Sequence, residues 1–395
     1  MRLSHRVEKL EASVTLALDA RAKELRAAGR DIISMAVGEP DFPAPELVRS
    51  AAIEKVQSGD VRYTPAAGTP GLRRAVAEHL STTRNVRYDA SEVCICHSAK
   101  HALSGAIFAL VQEGDEVLVP LPAWGSYFEI VRVAGGVPVV VPSAKDGVRP
   151  DIAALRRAVT RKTRAVLINS PNNPSGYVFT REETEAVAEL ALEHDLVIVS
   201  DEIYRALVYE GSAAISPATL GPEVRARTVI IDGASKVFAM TGYRIGYLAA
   251  ARELADAVAK LHSQTTGSPN AISQHAFEIA LRKSPPETEE MRRAFAARLE
   301  VLLAGLRELE LPTPRPTGAF YAFPDVSAYL DERGSVGFCE DLLESQGLAL
   351  IPGAAFGVDS HVRLSYALGL EGIQESLRRL GAFLATRKTA LARRT

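Results

Sequence analysis

Seven short apolar runs alternate with helix-patterned stretches between residues 93 and 249, and this alternation limits the folds open to the chain. The runs fall at 93–96, 117–120, 136–141, 164–169, 196–200, 229–231 and 245–249. Stretches such as 152–159 and 182–194 between them carry helical periodicity. Strands alternating with helices predict a mostly parallel sheet of seven strands with helices on both faces. In such sheets ligands lie at the carboxyl ends of the strands. Ser98, Asn173, Asp201 and Lys236 each follow one of the runs, so the polar residues with chemistry to offer are expected at one edge.

The stretch 232–247 carries the most specific chemistry. Lys236 sits after the small residues Gly233, Ala234 and Ser235, with apolar residues behind it. A lysine with little water is held neutral, as a Schiff-base nucleophile requires. Arg244 lies between Gly242 and Gly246, which let backbone approach a ligand. An amine nucleophile followed by a fixed guanidinium suits an aldehyde cofactor that carries a phosphate. Read alone, the pair is equally a surface lysine and a core-edge arginine. Asp201 ends a fully apolar strand, and a buried carboxylate needs a cationic or donor partner. Ser98 and Ala99 open a helix, whose N–H groups form an anion site. Lys100 is a cation in that helix's first turn, where the dipole disfavours it, a small hint of function. Asn173, before Pro174 in a rigid loop, is either a plain turn residue or a donor to a ligand oxygen. Arg363 lies on a short apolar strand, and its planar fork matches a carboxylate in two bonds.

Length and charge bound the rest. With 395 residues the chain is long for one core, so two domains are expected. Breaks at 283–286 and at Pro312, Pro314 and Pro316 divide it into an N-terminal segment (1–45) joining a small domain, a large domain (46–284) and the small C-terminal domain (285–395). A net charge of −2 leaves no footprint for nucleic acid or an anionic membrane. No apolar run has membrane-spanning length, and the first residues lack an apolar signal core. Three cysteines are too few for a disulfide framework, so a cytoplasmic setting is expected. Cys94, Cys96 and His97 suggest a metal site at first sight, but C-x-C-H without a second ligand pair does not match zinc spacing. Buried core thiols and no metal are expected there. The C-terminal stretch 387–395 reads as a solvated helix end.

Six segments occur in one order along the chain: V-G-E-P-D (37–41), Y-T-P-A-A-G (63–68), S-P-N-N-P-S-G (170–176), S-D-E-I-Y (200–204), S-K-V-F-A-M-T-G-Y-R-I-G-Y (235–247) and H-V-R-L-S-Y-A (361–367). Together they resemble the class I, fold type I aminotransferases that use pyridoxal 5'-phosphate, and most of all the gamma subgroup of bacterial aspartate aminotransferases. The resemblance runs from about residue 34 to residue 367.

That resemblance implies roles residue by residue. Lys236 would hold the cofactor and move the proton, Asp201 would keep the ring nitrogen protonated, and Tyr204 would bond the ring's phenolic oxygen. Ser98, Ala99 and Arg244 would hold the phosphate, together with Tyr63 reaching across from a second copy in a homodimer. Trp124, the one tryptophan, would stack on the ring, and Asn173 would donate to the ring or substrate. Gly38 and Arg363 would hold the substrate's α-carboxylate. Lys100 would read the distal carboxylate of aspartate or glutamate, because segment 262–269 has no arginine to do so. Where many members carry a serine three residues before the lysine, this chain has Gly233. The implied activity is amino transfer between aspartate or glutamate and a 2-oxo acid. Aromatic or prephenate-type acceptors stay open, as do lyases and oxidases on the same fold. A DNA-binding regulator built on this fold is disfavoured, since no winged-helix segment precedes it.

Overall fold

The computed structural model describes residues 3–8, 10, 14–209 and 211–392. Seven strands form the large sheet: β1 (Val93–Cys96), β2 (Glu116–Pro120), β3 (Val137–Val141), β4 (Thr163–Asn169), β5 (Val197–Asp201), β6 (Thr228–Gly233) and β7 (Gly246–Ala249). Their order across the sheet is β1-β7-β6-β5-β4-β2-β3. The pairs β2–β3, β2–β4, β4–β5 and β5–β6 are parallel. β7 runs antiparallel to both neighbours, β1 and β6. The expected sheet is therefore present, with one reversed strand that apolar content alone does not signal.

The strands are fully apolar because both faces are covered. One face packs Val93, Ile95, Ile230 and Tyr247 against helices Pro70–Arg84 and Ala271–Lys283. The other packs Cys94, Cys96, Val119 and Leu248 against α1 (Ala99–Leu110) and α2 (Arg252–Thr265). Register is pinned at the functional edge. Asn169 pairs with Asp201, and its Nδ2 donates to the Asp201 carbonyl at 2.9 Å. Its Oδ1 accepts the Asn173 N–H at 2.8 Å, which fixes the loop that follows. The helix before β5, Arg181–Glu193, starts at a reciprocal cap between Thr180 and Glu183.

A second core holds the long helix α3 (Glu287–Glu308) and the C-terminal helix Leu370–Ala392. Strand Ile33–Ser34 joins it by pairing in parallel with Leu348–Ala349. Leu18, Leu25 and Met35 pack with Phe295, Phe338 and Leu364, so the N-terminal segment and the last hundred residues share one interior. Strand Val362–Ser365, between Ile351–Pro352 and Tyr321–Ala322, brings Arg363 to the seam between the two cores. The solvated C-terminal end needs correction at its start. Arg387 is buried and pairs with Asp341 at 2.7 Å and Asp331 at 3.1 Å. Its helix is anchored there by charge, and residues 393–395 lie outside the described part.

Candidate active site

A cavity of about 400 Å³ opens where the carboxyl ends of β1, β4, β5 and β6 meet the second core. Of the twelve residues singled out from sequence, eleven line it: Gly38, Ser98, Ala99, Lys100, Trp124, Asn173, Asp201, Tyr204, Lys236, Arg244 and Arg363. The twelfth, Tyr63, is fully exposed on a separate face beside Asp60 and Arg62.

Lys236 follows β6 in a one-turn helix, Ala234–Val237. Its Nζ donates to the Gly38 carbonyl at 2.6 Å. Burial pushes its amine down to about 8; Glu39 opposes this, while Arg363 and Arg244 add to it. The amine therefore loses its proton far more readily than an ordinary lysine, and is neutral above about pH 8. A Cβ on Gly38 would lie 2.8 Å from the Tyr321 hydroxyl oxygen, so a larger residue would displace that hydroxyl. The same logic explains Gly233. A Cβ there would meet Gly246 Cα at 2.7 Å, and one on Gly246 would meet the Ala99 nitrogen at 2.4 Å. Gly246 therefore brings β7 under the Ser98–Ala99 turn, rather than bringing backbone to a ligand, and Gly242 has open space around it.

The floor is Asp201, which is 5% exposed. It accepts from the Tyr127 hydroxyl at 2.8 Å and from the Ile203 N–H at 3.2 Å. Burial raises its carboxyl to about 6 against the pull of those two donors. Beside it, the Tyr204 and Tyr321 hydroxyls share a 2.8 Å hydrogen bond, and burial pushes the Tyr204 phenol well up. Trp124 meets Tyr127 edge to face, with centroids 5.5 Å apart.

Cationic groups flank this floor on two sides. On one side Ser98 caps α1, accepting the His101 N–H at 3.2 Å. The first N–H groups of the helix have no intrahelical acceptor, which favours an anion. Arg244 stands at the rim, in left-handed backbone (φ 53°), with Nη1 on the Thr241 carbonyl at 2.7 Å. Lys100 also lies at the rim, 4.4 Å from the Trp124 ring centroid and 3.3 Å from Ser126 Oγ. Burial first, then Arg244, lowers its pKa. On the other side Arg363 is 3% exposed. Its Nη1 donates to Asn173 Oδ1 at 2.9 Å and its Nη2 to the Ala36 carbonyl, while its Nε has no partner. With Oδ1 engaged, Asn173 keeps its Nδ2 for a ligand. Burial lowers the Arg363 pKa, since its partners are neutral.

Tyr127, Tyr321, Glu39 and Thr241 also line the cavity and were not singled out from sequence. Glu39 accepts the Thr241 hydroxyl at 2.8 Å, tying the 37–41 turn to the loop that holds Arg244. Glu39 stands inside a recognised motif, so a signal existed for it. Tyr127 sits one helical turn after Trp124, and Tyr321 comes from the second core; no local pattern marks either as facing Asp201 or Lys236.

Comparison with known proteins follows the same lines. The family model for aminotransferase class I and II matches residues 30–380. The chain is 42% identical over 395 residues to the aspartate aminotransferase of Geobacillus stearothermophilus, covering 98% of this chain and 100% of that one. It is 42% identical to the aspartate/prephenate aminotransferase of Thermus thermophilus, covering 97% and 98% of the two chains. The solved structure of a Thermus thermophilus aspartate aminotransferase with maleate superposes with a TM-score of 0.92 at 42% identity, over 97% of this chain and 100% of that one.

Proposed function

The chain belongs to the class I and II aminotransferase family and is a transaminase, and from that premise we propose that it uses pyridoxal 5'-phosphate to move an amino group between aspartate or glutamate and a 2-oxo acid. The observation that carries the reading is Arg363. It is a buried guanidinium without a carboxylate partner among the described residues, facing the same cavity as Lys236 and Asp201. A substrate α-carboxylate would complete it with two charge-assisted bonds.

The residues present fit the cofactor. Asp201 is a buried carboxylate held by two neutral donors, and a protonated ring nitrogen is the cation it lacks. Ser98, the Ala99 N–H and Arg244 form a cradle for a phosphate dianion at the start of α1. When bound, pyridoxal 5'-phosphate supplies an electron sink for the charge that develops at the substrate's Cα.

The chain's own groups do the rest. Lys236, neutral above about pH 8, is the amine that would hold the cofactor, and its Nζ would take and return the substrate's proton. Asp201 would keep the ring nitrogen charged. Tyr204, bonded to Tyr321, would donate to the ring's phenolic oxygen. Trp124 would stack on the ring. Arg363, the Asn173 Nδ2 and Gly38 orient the α-carboxylate, so that the Cα–H bond faces Lys236. Lys100 at the rim reads the second carboxylate. The maleate in the Thermus thermophilus structure is such a dicarboxylate. Lys100, with no arginine in segment 262–269, also supports assignment to the gamma subgroup. Prephenate-type acceptors remain the second reading, favoured by the name of the Thermus thermophilus relative.

Tyr63 points the reading to a homodimer. Its ring is wholly exposed on one copy, and Tyr63 of a second copy would complete the phosphate cradle. The reading keeps the division into segment 1–45, large domain 46–284 and small domain 285–395, with a cytoplasmic setting. Among the described residues no helix is long and apolar enough to cross a membrane. The direct test is borohydride reduction of purified protein followed by peptide mapping. A pyridoxyl-phosphate mass on the peptide holding Lys236 supports the reading, and the adduct on another lysine, or on none, removes it.

A further inference from the structure

Two of the three cysteines and three of the eight histidines gather in one layer behind the Ser98 turn. Cys94 and Cys96 project from the same face of the edge strand β1, and both are fully buried. His262 comes from α2, which packs over that face, and is 1% exposed. The Cys94 and Cys96 sulfurs and a His262 ring nitrogen lie within 4.8 Å of one another. From this geometry we infer that Cys94, Cys96 and His262 bind a zinc ion that clamps β1 to α2.

Packing alone leaves His262 unexplained. Its Nε2 is buried against Gly105 and has no partner. Its Nδ1 has only the Cys94 sulfur, at 3.9 Å, a weak contact. A metal at Nδ1 would replace the weak sulfur contact there with a bond, while Nε2 stays buried against Gly105. The ring is held in place for the task. His101 stacks on it with centroids 4.0 Å apart. His101 is itself fixed by the His97 N–H at 3.3 Å and by Thr266 Oγ1 at 3.3 Å.

The spacing suits zinc. Zn–S bonds of about 2.3 Å and Zn–N bonds of about 2.0–2.1 Å put tetrahedral ligand atoms roughly 3.5–3.8 Å apart. The three donors need to close by only about an ångström. The Cys96 thiol donates to the Cys94 carbonyl oxygen at 3.4 Å, a bond that metal binding would replace. Binding forms two Zn–S bonds and one Zn–N bond and releases two thiol protons to solvent. The product is neutral, which suits walls made of Ala102, Leu103, Ala106 and Val258. A monovalent copper ion would leave one negative charge in that apolar layer. The spacing argument in the sequence took His97 as the third group, whereas the fold supplies His262, 165 residues further on.

Elemental analysis of protein expressed with added zinc and then desalted tests this. About one zinc per chain is expected in the wild type and in Cys339→Ala, and none in Cys94→Ala or His262→Ala. Core variants can fail to fold, so a second measurement uses only wild type. Cobalt added to the metal-free protein should give a thiolate-to-cobalt band in the near ultraviolet, and a mercurial should release zinc in step with two thiols. Wild type without zinc and without the cobalt band overturns the inference. So does zinc retained in both folded variants, or copper found in its place.

Discussion

Arg84 and Arg363 are equally buried, at 4% and 3% exposure, yet they sit in opposite electrostatic surroundings. Arg84 is closed on itself. Its Nε donates to Glu202 at 2.7 Å, its Nη2 to Asp232, and its Nη1 to Thr83 Oγ1 at 3.3 Å. Tyr247 and Ser200 donate to the same two carboxylates. Although burial lowers its pKa, the surrounding negative charge raises it on balance. Arg363 has two neutral acceptors and an unpartnered Nε, and burial lowers its pKa. One guanidinium has spent its charge inside the protein, and the other holds it ready for a ligand. The difference separates a guanidinium neutralised inside the protein from one whose charge is left unmatched, without reference to any relative.

Substitutions should divide along that line. The largest loss is expected at Lys236, which no neighbouring group can replace. Lys236→Ala should lower turnover on the order of 10⁴-fold or more while the fold persists, measured by amino transfer and by circular dichroism. Next comes Arg84→Met, which strands two buried carboxylates. It should cost about 3–5 kcal/mol in denaturant unfolding, and a loss under 1 kcal/mol would break the comparison. Arg363→Lys should do the reverse. It keeps charge but loses the fork, so kcat/KM should fall roughly 10²- to 10³-fold for every amino donor, with stability unchanged or higher.

A pH dependence sharpens the contrast at the floor. The Asp201 carboxyl rises from an ordinary 3.8 to about 6 in the fold. The folded protein therefore holds that proton more tightly than the unfolded chain does. The resulting stability is complete below about pH 4 and lost as pH rises through about 6. Cofactor-free protein should lose up to about 3 kcal/mol from this group across that window, and Asp201→Asn should flatten the profile. The smallest effect belongs to the rim. Lys100→Ala should raise KM for aspartate roughly tenfold, about 1.4 kcal/mol, and leave a monocarboxylic donor unaffected. Equal losses for both donors would remove its role in reading the second carboxylate.

Much of this was legible in the chain because the polar residues follow the strands that carry them. The runs ending before Ser98, Asn173, Asp201 and Lys236 are local patterns, and the parallel sheet brings their ends together. What stayed hidden depends on contacts between distant segments. Nothing near Tyr321 signals that its hydroxyl meets Tyr204, 117 residues earlier. The reversal of β7 is likewise a matter of pairing, not composition. Arg387 reads as a solvated tail residue until Asp341 and Asp331 are brought beside it. His262 meets the Cys94 thiol only because α2 folds over β1, a contact across 168 residues. The helices Glu46–Gln57 and Ala271–Lys283 pack on each other, a pairing of segments more than 200 residues apart.

The decisive measurement is a single turnover with aspartate and no acceptor. Protein loaded with pyridoxal 5'-phosphate is mixed with excess aspartate, and oxaloacetate and ammonia are followed together. The expected result is a burst of oxaloacetate equal to the loaded sites, no ammonia, and a second burst only after a 2-oxo acid is added. Oxaloacetate absent, or ammonia released steadily without an acceptor, would contradict amino transfer from aspartate at this site.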